Sequence, residues 1–322
     1  MEPWQIALII VCSVLAALVL FVLIPLLFVS RKTLKIAKRI YDDKLVRSTP
    51  EKWARECSAP ENEEHLRMWN IGLSWRENVS CPVREVSIES DGLKLYAEYF
   101  DFGYDRCVII VPGRCETLMY TYFFADGYKN IRTNFLLADP RAHGKSEGKF
   151  SCCGIKEADD VLAWAKYAKE TLGNNSVILH GICIGASACF MAKEKDTRGY
   201  ISKIISEGCF TTFYESFRQH IIYEKKPVQP LLSQLRRMMK KSLGIDIKKQ
   251  SPLKAVKSVN VPVLFIAGRR DLFSVPKKTE ELFSACASKK KSLVWFDKGA
   301  HSHLRINNMD EYDASVAEFV DA

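Results

Sequence analysis

The chain has 322 residues, of which 48% are hydrophobic and 26% charged. These fractions are typical of a globular protein and exclude a disordered or fibrous chain. Lys and Arg outnumber Asp and Glu by 47 to 38, mainly just after the N-terminal segment and between Phe213 and Lys257. No nucleic-acid-binding motif accompanies this charge, so we expect no nucleic-acid partner. Contact with anionic lipid headgroups and a plain solvated basic face both account for it.

The eleven cysteines are odd in number, form no CxxC pair and are scattered along the chain. This spacing does not favour a disulfide framework. Scattered thiols indicate a reducing compartment, and we interpret most of these cysteines as small buried hydrophobic residues.

Residues 4–29 carry no charged side chain. At about 1.5 Å rise per residue, a helix of this length crosses a bilayer core of about 30 Å, so we predict a transmembrane anchor over residues 1–30. A cleaved signal peptide is the alternative interpretation. It is disfavoured because Glu2 replaces the basic start and because the run continues directly into RKTLKIAKR.

Basic residues crowd the C-terminal flank of this run. They are Arg31, Lys32, Lys35, Lys38 and Arg39. The positive-inside rule therefore predicts a single-pass membrane protein whose main domain is cytoplasmic. We interpret residues 31–80 as a juxtamembrane segment that is either a helix along the membrane surface or a plain linker helix.

From residue 81 onward, strand patterns alternate with helical ones. Two alternating runs flank Asp91-Gly92, the turn expected of a hairpin, and later apolar runs such as CVIIV, SVILH and VLFIA are separated by amphipathic helices. This order predicts an α/β domain over 81–322, with a mostly parallel sheet covered by helices on both faces. Residues 213–249 break the rhythm and are interpreted as a helical cap, or as one crossover helix interrupted by Pro227 and Pro230.

A strand, a sharp turn and a helix meet at Gly181-Ile182-Cys183-Ile184-Gly185. This is the setting of a nucleophile elbow, in which glycines flank a residue held in a strained conformation. Residues 144–148 match GxSxG literally, but the preceding strand ends near Ala138 and no helix follows at once. We therefore interpret that stretch as a loop.

Three motifs in chain order resemble those of the α/β-hydrolase superfamily. They are DPRAHGKSEG at 139–148, IAGRRDLFSVP at 266–276 and GAH at 299–301. The resemblance implies the α/β-hydrolase fold and a triad of Cys183 as nucleophile, Asp271 as acid and His301 as base. Cysteine in the elbow is similar to the GxCxG of dienelactone hydrolases. His303, two residues from His301, is the competing base.

Plainer interpretations exist for the same residues. Cys183 is also explained as a small buried hydrophobe, and Asp271 as the cap of a helix that begins near Val275. The resemblance further implies an oxyanion hole formed by the backbone N–H groups of Ile184 and Arg114. The guanidinium of Arg114 has two explanations, a contact with an acidic substrate group and a salt bridge to Glu116 or Asp139.

These features predict a membrane-anchored hydrolase that cleaves an ester, thioester or related acyl bond of a small-molecule or lipid-like substrate. A non-catalytic, membrane-tethered binding protein and a peptidase of the same fold are the alternatives. The six histidines form no HExxH pair and no Gly-rich phosphate loop follows a strand, so we expect no metal and no organic cofactor.

Overall fold

The computed structural model describes residues 2–55 and 62–322. Met1 and residues 56–61, which fall in the predicted anchor and juxtamembrane segment, lie outside the described residues. The strands are β1 (Val83–Ser90), β2 (Leu93–Phe100), β3 (Arg106–Val111), β4 (Asn134–Ala138), β5 (Ser176–Ile182), β6 (Ile201–Glu207), β7 (Val263–Gly268) and β8 (Lys291–Phe296).

The helices precede, separate and follow these strands. They are α1 (Pro3–Leu18), a π-helical stretch (Val19–Leu23), α2 (Ile24–Leu45), α3 (Glu63–Asn78), α4 (Leu118–Asp126), α5 (Glu157–Glu170), α6 (Ile184–Lys195), α7 (Phe213–Tyr223), α8 (Leu231–Leu243), α9 (Pro252–Ala255), a 3₁₀ turn (Val256–Ser258), α10 (Pro276–Ala285), α11 (Leu304–Asn307) and α12 (Met309–Asp321).

The eight strands form one sheet in the order β1-β2-β4-β3-β5-β6-β7-β8. Only the β1–β2 and β2–β4 pairs are antiparallel. Asp91 and Gly92 join β1 to β2 with φ angles of 51° and 72°, which suit a two-residue hairpin turn. The predictions of the hairpin and of a mostly parallel sheet are confirmed.

Alternating side chains of the central strands bury against helices on both faces of the sheet. In β3, Cys107 and Ile109 join the core that includes α5 and α6, whereas Val108 and Ile110 join the core that includes α4 and α12. A strand covered on both faces requires an unbroken apolar run, which is what CVIIV supplies. The carboxyl ends of β3 and β5–β8 share one edge of the sheet, so the loops that follow them meet there.

The N-terminal helix runs without interruption from Pro3 to Leu45. Within the described part of the chain, it is the one helix long and apolar enough to cross a membrane by length and composition, and its apolar part is unburied. The π-helical stretch ends two residues before Pro25, whose missing amide hydrogen removes one helical hydrogen bond.

The second half of this helix packs against the rest of the protein. Its buried residues recur every four positions and are Thr33, Ala37, Tyr41 and Leu45. This stripe lies along α8, where the Tyr41 hydroxyl is 2.7 Å from Ser242 Oγ and Gln234 Nε2 donates to the Ser30 carbonyl at 2.9 Å. One face of this part of the helix is therefore buried against the cap.

Helix α3 is also part of the folded unit. Met68 and Trp69 are buried, and the Trp69 ring contacts the Tyr120 ring of α4 at 5.1 Å between centroids. The sequence-based boundary at residue 81 thus does not mark the edge of the packing. Polar residues dominate this stretch of the sequence, and its few apolar side chains are enough to attach it.

Helices α7 and α8 form the cap between β6 and β7. The Thr212 side chain accepts from the N–H of Glu215 and begins α7, while Gly244 ends α8 in the left-handed conformation with φ of 71°. The prediction of a helical cap insertion is confirmed. Residues 224–230, which include Pro227 and Pro230, separate the two helices of the cap.

The turn between β5 and α6 is too crowded for side chains on its glycines. A Cβ on Gly181 would lie 2.5 Å from the Ala186 backbone, and one on Gly185 would lie 2.1 Å from the Val111 carbonyl oxygen. The turn therefore presses the start of α6 against the end of β3.

A row of polar side chains is buried beneath the carboxyl edge of the sheet. Tyr312 donates to Glu207 Oε2 at 2.6 Å, and its hydroxyl is 3.1 Å from His180 Nε2. The other ring nitrogen of His180 is 2.9 Å from the Tyr128 hydroxyl. Burial raises the pKa of Glu207 to about 7 and lowers the pKa of His180 to about 3.

We expect Gly185→Ala to lower the free energy of unfolding by about 2 kcal/mol or more, because the added Cβ must push apart two backbone segments. Gly103→Ala is the control, since no atom lies within 4 Å of its added Cβ and only the strain of a left-handed φ remains. Chemical denaturation of the full chain in detergent, followed by tryptophan fluorescence, gives both values. Equal costs would contradict the crowding argument.

We expect Glu207→Gln to become more stable relative to the unsubstituted chain by about 2 kcal/mol as the pH rises from about 5 to 8. The reason is that the folded state holds the Glu207 proton up to a pKa of about 7, whereas the unfolded state releases it near 4.5. Ionisation of the buried carboxyl therefore weakens the fold over this range. Glu318→Gln, which alters an exposed carboxyl, is expected to show no such trend in the same denaturation series.

Candidate active site

Cys183 occupies the sharp turn between β5 and α6. Its φ of 54° and ψ of −109° lie in a region that residues other than glycine rarely adopt. The Cys183 N–H donates to the Glu207 carbonyl at 2.8 Å, which fixes the turn to the end of β6. The side chain is partly exposed, so Cys183 differs from the fully buried Cys107 and Cys189. The strained backbone thus holds a thiol at the open edge of the sheet.

His301 and Asp271 lie on the loops that follow β8 and β7. His301 Nδ1 is 2.7 Å from Asp271 Oδ2. The other oxygen, Asp271 Oδ1, accepts from the backbone N–H groups of Phe273 and Ser274 at 2.8 Å each. Asp271 therefore both caps the turn before α10 and binds the imidazole, so the two interpretations drawn from the sequence describe one side chain.

The charges of these three groups are coupled. Burial lowers the pKa of His301, but Cys183 as a thiolate and the hydrogen-bonded Asp271 together raise that pKa well above its usual range. Burial raises the pKa of Asp271, yet the contact with His301 and the two backbone donors give a net lowering. These shifts favour a protonated His301 imidazole beside an ionised Asp271 carboxylate.

Cys183, Ile184, Arg114 and His301 share a cavity of about 260 Å³ at the carboxyl edge of the sheet. The cap contributes to its wall. The further lining residues are His65, Gly113, Glu116, Phe213, Ser216, His220, Phe273, Ser302 and His303. The structure therefore brings the nucleophile and base expected from the sequence to one cavity, whose wall comes from both the core and the cap.

His303 faces away from the acid. Its ring stacks obliquely on His65 at 4.2 Å between centroids, and its Nδ1 is 3.9 Å from Glu64 Oε2. Asp271 is hydrogen bonded to His301 instead. Geometry therefore favours His301 over His303 as the base.

The backbone at the predicted oxyanion hole is arranged around the same cavity. As the first residue of α6, Ile184 has an N–H group with no acceptor inside the helix. The loop that carries Arg114 begins at the Val111 carbonyl, which lies against Gly185. Both predicted donors therefore come from segments in contact.

The Arg114 side chain does not form the expected salt bridge. Its Nη2 is 3.2 Å from His220 Nε2 on α7, whereas Asp139 pairs with Arg55 at 2.6 Å and Glu116 accepts from the Gly113 N–H at 2.7 Å. Burial and the adjacent guanidinium lower the pKa of His220 to about 4, so its ring is neutral and accepts from Arg114. Arg114 thus bridges the core loop to the cap across the cavity.

Sequence reasoning missed two groups in the cavity wall. Burial raises the pKa of Glu116 to about 7, although the Gly113 N–H and the positive charge of His301 lower it. His220 stacks on Phe273 at 4.0 Å between ring centroids. A helical cap pattern does not reveal which of its side chains turns inward, so the sequence carries no signal for His220.

The literal GxSxG at 144–148 is a loop in which Ser146 is buried. Ser146 donates to the Asp139 carbonyl at 2.8 Å and accepts from the N–H of Tyr96 at 2.9 Å. These bonds occupy its hydroxyl, which supports its interpretation as a structural serine. Across residues 2–55 and 62–322, no group of three His, Cys, Asp or Glu side chains is positioned to hold a metal ion.

No protein-family model matches the chain. It is 27% identical over 217 residues to the uncharacterized protein YqkD of Bacillus subtilis, which covers 67% of this chain and 70% of YqkD. It is also 22% identical over 193 residues to protein bem46 of Schizosaccharomyces pombe, which covers 60% of this chain and 59% of bem46.

Solved structures with similar folds include two named hydrolases. The esterase Pf2001 of Pyrococcus furiosus superposes with a TM-score of 0.63 at 22% identity, covering 76% of this chain and 94% of the esterase. Alpha/beta hydrolase domain-containing protein 10 from mouse gives a TM-score of 0.56 at 15% identity, covering 74% and 98%. Together with the sheet order and the turn at Cys183, these similarities show that the chain has the fold of the α/β-hydrolase superfamily.

Proposed function

We propose that this protein is a membrane-anchored hydrolase that cleaves an ester, thioester or related acyl bond through Cys183, His301 and Asp271. The observation that carries the proposal is the 2.7 Å contact between His301 and Asp271 beside a cysteine held in a left-handed turn. A nucleophile needs an adjacent base, and the base needs an orienting acid. The three side chains supply these roles in the chain order nucleophile, acid, base.

The reaction divides into two steps. Sγ of Cys183, as a thiolate, attacks the acyl carbon. The oxyanion that forms accepts hydrogen bonds from the N–H groups of Ile184 and Arg114. Nε2 of His301 gives its proton to the departing alcohol or thiol as the carbon–heteroatom bond breaks. His301 then takes a proton from water, whose oxygen attacks the thioester, and the Cys183 thiolate leaves with the carbon–sulfur electron pair.

The imidazolium state of His301 supports this sequence. Its raised pKa means that the proton needed by the leaving group is present before the substrate arrives. Asp271 keeps that proton on the correct side of the ring by holding Nδ1. The similarity of the fold to an esterase from Pyrococcus furiosus is consistent with an acyl substrate.

The membrane anchor is residues 4–29, and the basic flank that follows them supports a cytoplasmic position for the domain. We expect the full chain to remain in the membrane pellet after alkaline carbonate extraction, and a chain beginning at residue 31 to be released. The immunoblotted pellet and supernatant measure both. Release of the full chain would refute the span.

Thiol labelling tests the nucleophile. We expect iodoacetamide to modify Cys183 at least tenfold faster than the half-buried Cys81 in the full-length protein at neutral pH, because the imidazolium stabilises the thiolate. Peptide mass spectrometry over a time course gives both rates from one sample. We expect His301→Ala to slow labelling of Cys183 at least tenfold without changing the rate at Cys81.

Turnover of short activated esters and thioesters belongs in the same series. Cys183→Ala and His301→Ala are expected to lose about 100-fold or more in kcat/KM, and His303→Ala and Cys81→Ala to stay within about threefold. A Cys183 that labels no faster than Cys81, with no turnover of either ester class, would refute the enzyme and favour a tethered binding protein. Loss of turnover in His303→Ala alone would reassign the base.

A further inference from the structure

Apolar side chains are exposed beside the entrance of the cavity. Ile222 is 43% exposed, Tyr223 63% and Leu272 57%. Ile222 and Tyr223 end α7, and Leu272 follows the acid Asp271. We call these three residues the entrance patch. Their exposure to water is unfavourable unless something apolar covers them.

The patch leads directly to the base. The Tyr223 ring lies 5.6 Å from the Phe273 ring, and the Phe273 ring lies 5.6 Å from the imidazole of His301, between centroids in each case. Phe273 also lines the cavity. The rings of Tyr223 and Phe273 therefore connect the patch to the reacting groups, and an acyl chain can follow them.

The packing of α2 on α8 fixes the height of α8 relative to the apolar N-terminal run. Gln234 is bonded to Ser30, immediately after that run, and Ser242 contacts Tyr41 further along. Both helices thus run in the same direction, away from the apolar segment. Helix α8 starts three residues before Gln234. Its first turn therefore lies about 5 Å past the level of Ser30, in the direction of the apolar run.

Residues 224–230 join the patch to the start of α8, so the end of this loop that meets α8 lies level with the end of the apolar run. This loop carries Lys225, which is exposed, and Lys226, which pairs with Glu224. Exposed Lys32 and Lys35 on α2 lie on the neighbouring helix. Exposed apolar side chains accompanied by lysines are the composition of a surface that contacts an anionic bilayer.

We propose that the entrance patch rests in the boundary between headgroups and acyl chains of an anionic phospholipid bilayer, so that an acyl substrate enters the cavity directly from the membrane. This deepens the proposed function and rests on its membrane anchor. The occupant of the patch is lipid, since α8 packs along the helix that carries the apolar run, begins level with the end of that run and is joined to the patch by residues 224–230. The substrate class that follows is an acyl lipid whose chain remains in the membrane as its carbonyl reaches Cys183.

Photo-crosslinking tests the position without needing activity. The full chain with Tyr223→p-benzoylphenylalanine is reconstituted in nanodiscs of phosphatidylcholine with phosphatidylserine and irradiated, and the peptide is analysed by mass spectrometry. Tyr104→p-benzoylphenylalanine is the matched control, because Tyr104 is 40% exposed but precedes β3 at the opposite edge of the sheet. We expect phospholipid adducts at residue 223, at least fivefold more than at residue 104. Equal yields, or adducts to a second copy of the chain, would overturn the proposal.

Turnover supplies a second readout. We expect Ile222→Ser to lower, at least fivefold, the ratio of turnover of a bilayer-embedded acyl ester to that of a short soluble ester. Tyr104→Ser is expected to leave this ratio unchanged. An unchanged ratio in Ile222→Ser, with no lipid adduct at residue 223, would refute membrane entry while leaving the hydrolase intact. Absence of turnover of both esters by the unsubstituted chain would refute the hydrolase, and the cross-link would still decide the position of the patch.

Discussion

The turn at Cys183 is the constraint on which the rest of the site depends. Its left-handed backbone is maintained because β5, β3 and α6 leave no alternative path: Gly185 touches the Val111 carbonyl, and the Cys183 N–H is bound by Glu207. A strained residue persists only where its surroundings over-determine it. The parallel sheet provides those surroundings, and it also delivers the loops of Asp271 and His301 to the same edge.

The electrostatics of the site follow from how little water reaches it. Burial raises the pKa values of Glu116 and Glu207 to about 7. Burial also acts on Asp271, but its pKa is lowered because the imidazolium and two N–H groups are hydrogen bonded to it. Asp271, on the loop after β7, is therefore the carboxylate of the site that stays charged. Its two neighbours take up protons easily near neutrality, so an excess of negative charge around His301 is avoided.

Much of this architecture could be predicted from the sequence, because it depends on local patterns. The unbroken apolar strands, the Asp91-Gly92 turn and the glycines around Cys183 each require a particular backbone, and the structure has those backbones. The packing of residues 31–80 could not be predicted in the same way. The stripe of Ala37, Tyr41 and Leu45 reads as an ordinary amphipathic face until the partner helix α8 is known. The contact of Arg114 with the neutral His220 could not be predicted for a similar reason. Its expected partners, Glu116 and Asp139, are hydrogen bonded to other groups.

The continuous helix from Pro3 to Leu45 has a mechanical consequence. A flexible tether would let the domain explore a volume above the bilayer, and its encounter with substrate would then depend on the length of that tether. Here the helix is packed against the cap along about three turns, so no flexible tether separates the proposed anchor from the domain. For a hydrolase anchored in this way, the rate of catalysis depends on the two-dimensional concentration of substrate in its own leaflet. Diluting that leaflet with inert lipid then lowers the rate, just as diluting the substrate in water lowers the rate of a soluble enzyme.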